Sequence, residues 1–204
     1  MPVDTASGLH IRGDFDGDGR TEILRAQTLQ RPSYKPFDPY DSPVRDNYDK
    51  LVAWTVARHP LVVLTCSNPR LDTLKIGEGQ IFGLYWLKNE GDLNGDGTDE
   101  VSYVPDYADW SNFNSCHLMT WRSSGWQKLL AFHIHEDQIP GTDKWCLGQL
   151  SEVPTDTILD VGKAQQAFPG FITPIRKGTV QIRYFDSEAE TEDGVVSKVV
   201  RLRR

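Results

Sequence analysis

Apolar and polar residues follow one another in short runs along this chain, and the clearest run has a period of two. Val180, Ile182 and Tyr184 alternate with Gln181 and Arg183, as a strand with one buried face requires. Thr179–Phe185 and Val195–Arg203 are therefore read as a hairpin around the acidic turn 186–193. Cys116–Trp121 and Trp126–Ile134 flank Ser123-Ser124-Gly125 and predict a second hairpin. Leu51–Ala57 and Leu61–Cys66 read as two strands broken at His59-Pro60. Ile76–Gly79 reads as a turn and Ile81–Leu87 as a strand. Residues 8–12, 22–26 and 100–104 read as short strands beside two acidic loops.

Between these runs the pattern breaks down. Residues 31–47 carry four prolines and three aromatics without periodicity, which predicts an extended, packed surface loop. Residues 106–115 form a polar loop studded with aromatics, and 135–157 are loop-rich. Asp156–Phe168 is the candidate helix, with Ile158, Leu159, Val161 and Ala164 partly in phase and Pro169-Gly170 as its stop. The expected fold is mainly β: antiparallel strands with two strand–loop–strand units, compact or partial propeller-like, with at most one short helix. No linker is evident, so residues 1–204 are read as one domain, with a possible C-terminal subunit from about residue 150.

Composition narrows the classes. Six tryptophans and 10% aromatics mark a folded chain. The net charge of −7 disfavours nucleic acid, whose phosphates need Lys and Arg. Arg201, Arg203 and Arg204 form a small basic end, read as a solvated strand tail. Three cysteines, Cys66, Cys116 and Cys146, do not make a disulfide framework; one bridge with a leftover thiol and three free thiols both remain open. No apolar run is long enough to span a membrane. Met1-Pro2-Val3-Asp4 starts no signal peptide, so the chain is expected to be cytosolic or a mature form whose leader has been removed.

The acidity itself is concentrated in one loop that occurs twice. Residues 13–22 read GDFDGDGRTE and residues 91–100 read GDLNGDGTDE. Calcium takes six to eight oxygen ligands at about 2.3–2.6 Å, and a chain supplies them by curling tightly around the ion. Asp14, Asp16 and Asp18 fall at loop positions one, three and five, the carbonyl of Arg20 at seven, and Glu22 at nine. Asp92, Asn94, Asp96, the carbonyl of Thr98, and Glu100 repeat the series, while Asp99 falls between ligand positions and is expected to face water. A helical calcium hand needs a bidentate Glu at position twelve, where this chain has Arg25 and Tyr103. Two calcium ions are therefore expected in a shorter, β-flanked loop, and they would bring the charge from −7 to −3. Four carboxylates against three make the first loop the tighter site.

GDFDGDGRTEIL and GDLNGDGTDEVSYV resemble the calcium loops of FG-GAP-type repeats, as in integrin-like β-propellers and bacterial surface proteins. The resemblance covers residues 9–26 and 87–104. It implies a strand–loop–strand unit around calcium, with ligand roles for Asp14, Asp16, Asp18 and Glu22 and for Asp92, Asn94, Asp96 and Glu100.

Other constellations are weaker. His133 and His135 share a strand face but lack a signposted third ligand. Cys116 and His117 are adjacent, so a strand sends them to opposite faces. GEGQIFG at 77–83 opens no helix, against a dinucleotide loop. Tyr103, Tyr107, Trp110, Phe113, Trp121 and Trp126 are either β core or a surface for a protein or carbohydrate ligand, with Tyr107 and Trp110 the expected exposed pair. The expected function is a non-catalytic, calcium-stabilised β protein with a binding or adhesion role, secreted, periplasmic or at the cell envelope. The alternatives are a calcium-dependent hydrolase or carbohydrate-binding protein, for which Asp106, Asp109 and Glu136 are candidate acids, and a cytosolic interaction protein.

Overall fold

A computed structural model describes residues 9–109, 111, 113–135, 138–139, 168–191 and 193–202. Their strands form three antiparallel sheets. The first contains β1 (His10–Gly13), β2 (Glu22–Gln30), β3 (Lys35–Pro36), β4 (Pro60–Cys66) and β5 (Leu74–Glu78). Its order is β1-β2-β4-β5, and β3 pairs with the end of β2 through Leu29 and Gln30. The second is a meander of β6 (Ile81–Gly91), β7 (Glu100–Tyr107), β8 (Phe113–Arg122) and β9 (Gly125–His135). The third contains β10 (Ile172–Arg176), β11 (Thr179–Phe185) and β12 (Val195–Arg201). The mainly β, antiparallel expectation holds, and both acidic loops join paired strands, β1 to β2 and β6 to β7.

The second sheet is the middle layer. Val101, Tyr103 and Met119 pack with Phe15, Leu24, Leu64, Leu71 and Leu74 of the first sheet and its loops. On the opposite face Trp86, Val104, Cys116, Leu118, Phe132 and Ile134 pack with Ile172, Val180 and Ile182 of the third. This explains why β7 is buried at every residue from Glu100 to Asp106: alternate side chains point to opposite faces, and here both faces are covered. Burial of each large apolar side chain contributes roughly 1.5–3 kcal/mol.

The largest departure from the sequence reading is a helix. The segment read as a strand at Leu51–Ala57 is a helix, α1 (Tyr48–Val56). Asn47 caps it, its side-chain oxygen accepting the Lys50 N–H at 3.0 Å, which satisfies one of the free donors of the first turn. Leu51 and Thr55, one turn apart, are its buried positions. Arg58 stacks its guanidinium 3.4 Å from the Trp54 ring centre, also one turn away. A dense apolar run hid this three-to-four spacing. The helix covers Phe82 and Ala108 at the far end of the middle sheet. Asn47→Ala is expected to lower stability by about 1 kcal/mol, read from the denaturation midpoint.

Two smaller corrections follow. Ile76–Gly79, read as a turn, is mostly β5, and the turn falls at Gly79 with φ +89°. β10 carries no strand signal in the sequence: Ile172 is its only buried residue and Pro174 interrupts its pattern. The candidate helix over 156–168 lies outside the described residues except Phe168, as do Trp110, Glu136, Cys146 and the possible subunit boundary near 150.

Candidate metal centre

The first loop begins where β1 ends and returns at β2. Its second residue, Phe15, is fully buried between the first two sheets. That anchor forces the residues on either side to curl outward. Gly17 and Gly19 take positive φ, +74° and +84°, a conformation that costs a residue with a Cβ about 1–2 kcal/mol. Gly13 serves another purpose: a Cβ there would stand 2.3 Å from Asn89 Nδ2 and 2.8 Å from the Phe15 ring.

Within this curl the side chains of Asp14, Asp16, Asp18 and Glu22 bring a carboxylate oxygen each to within 4.8 Å of one another. Backbone donors orient them. Asp14 Oδ2 accepts from Gly19 N–H at 2.9 Å, Asp16 Oδ1 from Asp18 N–H at 3.2 Å, and Asp18 Oδ1 from Arg20 N–H at 2.9 Å. Glu22 Oε2 accepts from Phe15 N–H at 2.9 Å. Asn68 Nδ2 donates to Asp16 Oδ2 at 2.9 Å. Asp14 Oδ1 is buried and has no hydrogen-bond partner. No Lys or Arg among the described residues forms an ion pair with any of the four. Burial holds the Glu22 carboxyl above its ordinary range, and the charges of Asp16, Asp14 and Asp18 push the same way against the Phe15 hydrogen bond. A group of four acids with a buried, unpartnered oxygen and no counter-charge fits a bound cation. This cluster could hold a metal ion.

The second loop repeats the glycine turns of the first. Gly95 and Gly97 repeat the positive φ, +82° and +95°. Leu93 replaces Phe15 and is buried against the third sheet. Glu100 Oε2 accepts from Leu93 N–H at 2.6 Å, the counterpart of the Glu22 bond. Its side chains are disposed differently. Among the described residues the one group of three or more His, Cys, Asp or Glu gathered this tightly is that of the first loop, so Asp92, Asp96 and Glu100 do not converge in the same way. Asn94 is fully buried and donates to Asp96 Oδ2 at 2.9 Å and Glu100 Oε1 at 2.7 Å. Burial pushes Glu100 up to about 7, against hydrogen bonds from the Leu93 and Asn94 N–H groups. Burial also pushes Asp96 up, but hydrogen bonds from Thr98 and Asn94 and the Arg122 charge outweigh it and hold this carboxyl low. The amides of Arg20 and Thr98 each donate to the position-five Asp, Arg20 to Asp18 and Thr98 to Asp96.

Asp99, expected to face water, is half-buried and held by hydrogen bonds. Its Oδ2 accepts from Asp14 N–H at 3.0 Å and from Asn89 Nδ2 at 2.8 Å, and its own N–H donates to Asp14 O at 2.8 Å. It clips the second loop to the first ligand position of the first. Its isolated place in the repeat, where the first loop has Thr21, was the one available signal.

The remaining candidates divide between the core and the surface. Cys116 is buried in the core beneath Trp86, while His117 lies on the other face and stacks on Tyr103 at 5.0 Å. Burial raises the Cys116 thiol well above its ordinary value. His133 is exposed, and His135 packs against Phe113 and Phe185. Asp106 is buried and accepts the Tyr40 hydroxyl, and Asp109 accepts from Ser111 N–H. Tyr103 is core, and Trp121 and Trp126 pack partly buried against the same cluster. Tyr107 and Phe113 are exposed. Gly77 lies in β5 and Gly83 in β6, so GEGQIFG connects the first sheet to the second and opens no helix. Cys66 and Cys116 are free thiols. No described helix is long and apolar enough to cross a membrane. No family model, curated protein or solved structure matches the chain, so the FG-GAP resemblance stands on the two loops alone.

Proposed function

We propose that this chain is a non-catalytic binding protein of the cell surface or envelope whose layered sheets are fastened by calcium in the first loop. The observation that carries the metal assignment is the meeting of Asp14, Asp16, Asp18 and Glu22 within 4.8 Å around a buried, unpartnered Asp14 oxygen. Calcium suits the set better than magnesium, which demands near-octahedral geometry at about 2.0–2.1 Å and keeps its waters. The loop is anchored by Phe15 in the core between two sheets and clipped by Asp99 of the next loop. An ion there fixes a junction between layers and contributes stability whenever its concentration exceeds the dissociation constant. Weak sites of this kind fill where calcium is abundant, which favours an exported setting.

The middle sheet separates this junction from a contact surface. β7 runs from Glu100, beside the loops, to Tyr107, a length of roughly 23 Å at the usual strand rise. Tyr107 and Phe113 are exposed at that far end, and Phe113 packs on Phe185 at 5.2 Å. Exposed aromatic faces stack on sugar rings or on a partner's side chains. The experiment is binding of the labelled, calcium-loaded chain to a glycan array and to intact cells. Binding that disappears in Tyr107→Ser and Phe113→Ser with the melting temperature unchanged supports this function. Binding indifferent to both substitutions contradicts it.

Proton linkage tests the ion assignment separately. A Glu22 carboxyl raised above its ordinary 4.5 in the folded chain stabilises the metal-free fold at low pH, and that contribution is lost as pH rises through the folded value. Calcium requires the deprotonated form. The gain in melting temperature on adding calcium is therefore expected to be larger at pH 7.5 than at pH 5. A gain that fell as the pH rose from 5 to 7.5 would contradict Glu22 as a ligand.

A further inference from the structure

We propose that the second loop carries its cations within the chain and serves as a metal-free ionic latch onto the third sheet, so that the protein holds one structural ion. This rests on the calcium assignment of the first loop and goes beyond it, because the two loops repeat the same glycine turns and differ in what fills them.

The difference starts at loop position three. Asn94 Oδ1 accepts the Asp96 N–H at 2.7 Å, as Asp16 Oδ1 accepts the Asp18 N–H. This bond fixes the amide orientation, since turning it over would set an NH2 against an N–H. The remaining atom is an oxygen in Asp16 and a nitrogen donor in Asn94. That donor bridges Asp96 Oδ2 and Glu100 Oε1. The two carboxylates are thus joined by N–H groups where an ion would need their oxygens and an oxygen from Asn94 itself.

The second difference is at position one. Asp14 has a buried oxygen without a partner. Asp92 Oδ1 accepts from Gly95 N–H at 2.6 Å, and Asp92 Oδ2 pairs with Lys177 Nζ at 3.1 Å. Lys177 comes from the turn between β10 and β11. The turn is docked by Gly178 N–H donating to Leu93 O at 2.6 Å. The Lys177 stem also lies over Gly95, where a Cβ would meet its Cδ at 3.2 Å. An exposed ion pair alone contributes little, so the backbone bond and the packing of the stem are what place the ammonium. Arg122 Nη2 lies 3.7 Å from Asp96 Oδ2. The second loop therefore sets two basic side chains against three acids, and the first, among the described residues, sets none against four. A divalent ion entering the second loop would meet Lys177 and Arg122 and would have to break both Asn94 bonds.

The test is calcium stoichiometry by calorimetry on the EDTA-stripped chain, compared across variants. Wild type is expected to take one ion, and Asp14→Ala none. Asn94→Asp with Lys177→Met, which restores a carboxylate and removes the ammonium, is expected to take two. Lys177→Arg keeps the charge and is expected to stay at one ion, which guards against misreading a folding defect. Two ions in wild type would overturn the latch while leaving the first loop's assignment intact. One ion that survives Asp14→Ala would overturn both. No ion in wild type but one in the double variant would sink the first loop's assignment and support the latch. A double variant that stays folded and still takes one ion would overturn the latch.

Discussion

Phe15→Ala is expected to cost about 3–5 kcal/mol of stability, the range for removing a large, fully buried aromatic. Phe15 is 0% exposed. It is the second residue of the first acidic loop and fills the core between the first and middle sheets beside Leu24, Leu64, Val101 and Tyr103. Truncation leaves a cavity that two sheets cannot close without shifting against one another. The same backbone holds Glu22 through the Phe15 N–H, so calcium affinity is expected to fall with stability. Phe15→Leu, which keeps most of the volume, is expected to retain the ion. Urea denaturation with and without calcium measures both effects. A loss below about 1 kcal/mol for the alanine variant would place Phe15 outside a packed core, since well-packed aromatic truncations do not come so cheaply.

Removal of the ion is the second large effect. A ligand held at a hundredfold excess over its dissociation constant contributes about 2.7 kcal/mol. In a chain of this size each kcal/mol moves the melting temperature by roughly 2–4 °C. EDTA is therefore expected to lower the melting temperature by about 5–10 °C, and excess calcium to restore it. Asp14→Ala is expected to reproduce the loss with no further response to EDTA. Asp14 is the sensitive position because its carboxylate has the buried oxygen and its backbone receives the Asp99 clip. Chelation that left the melting temperature unchanged would remove the ion from any structural role.

Local pattern carried much of the fold. Thr179–Phe185 coincides with β11, where Val180 and Ile182 are buried and Gln181 and Arg183 exposed. The acidic loops were legible because glycine spacing and oxygen spacing are both local requirements. The helix at Tyr48–Val56 was not, since Leu51, Val52, Ala53 and Trp54 make a run that suits a strand as well as a helix, and length and capping had to decide. The layering was hidden for a different reason. A strand covered on both faces, such as β7, loses the alternation that reveals a half-buried one. Contacts between distant loops leave no periodic trace at all. Asp99 against Asp14 spans 85 residues, and so does Lys177 against Asp92. Neither contact follows from the repeat.

Crystals grown in calcium offer the most direct test, through an anomalous difference map. A single strong peak is predicted in the first loop, about 2.3–2.6 Å from oxygens of Asp14, Asp16, Asp18 and Glu22. A map with no peak among those four carboxylates, at calcium concentrations that saturate the chain in solution, would contradict the claim that this loop is the metal centre.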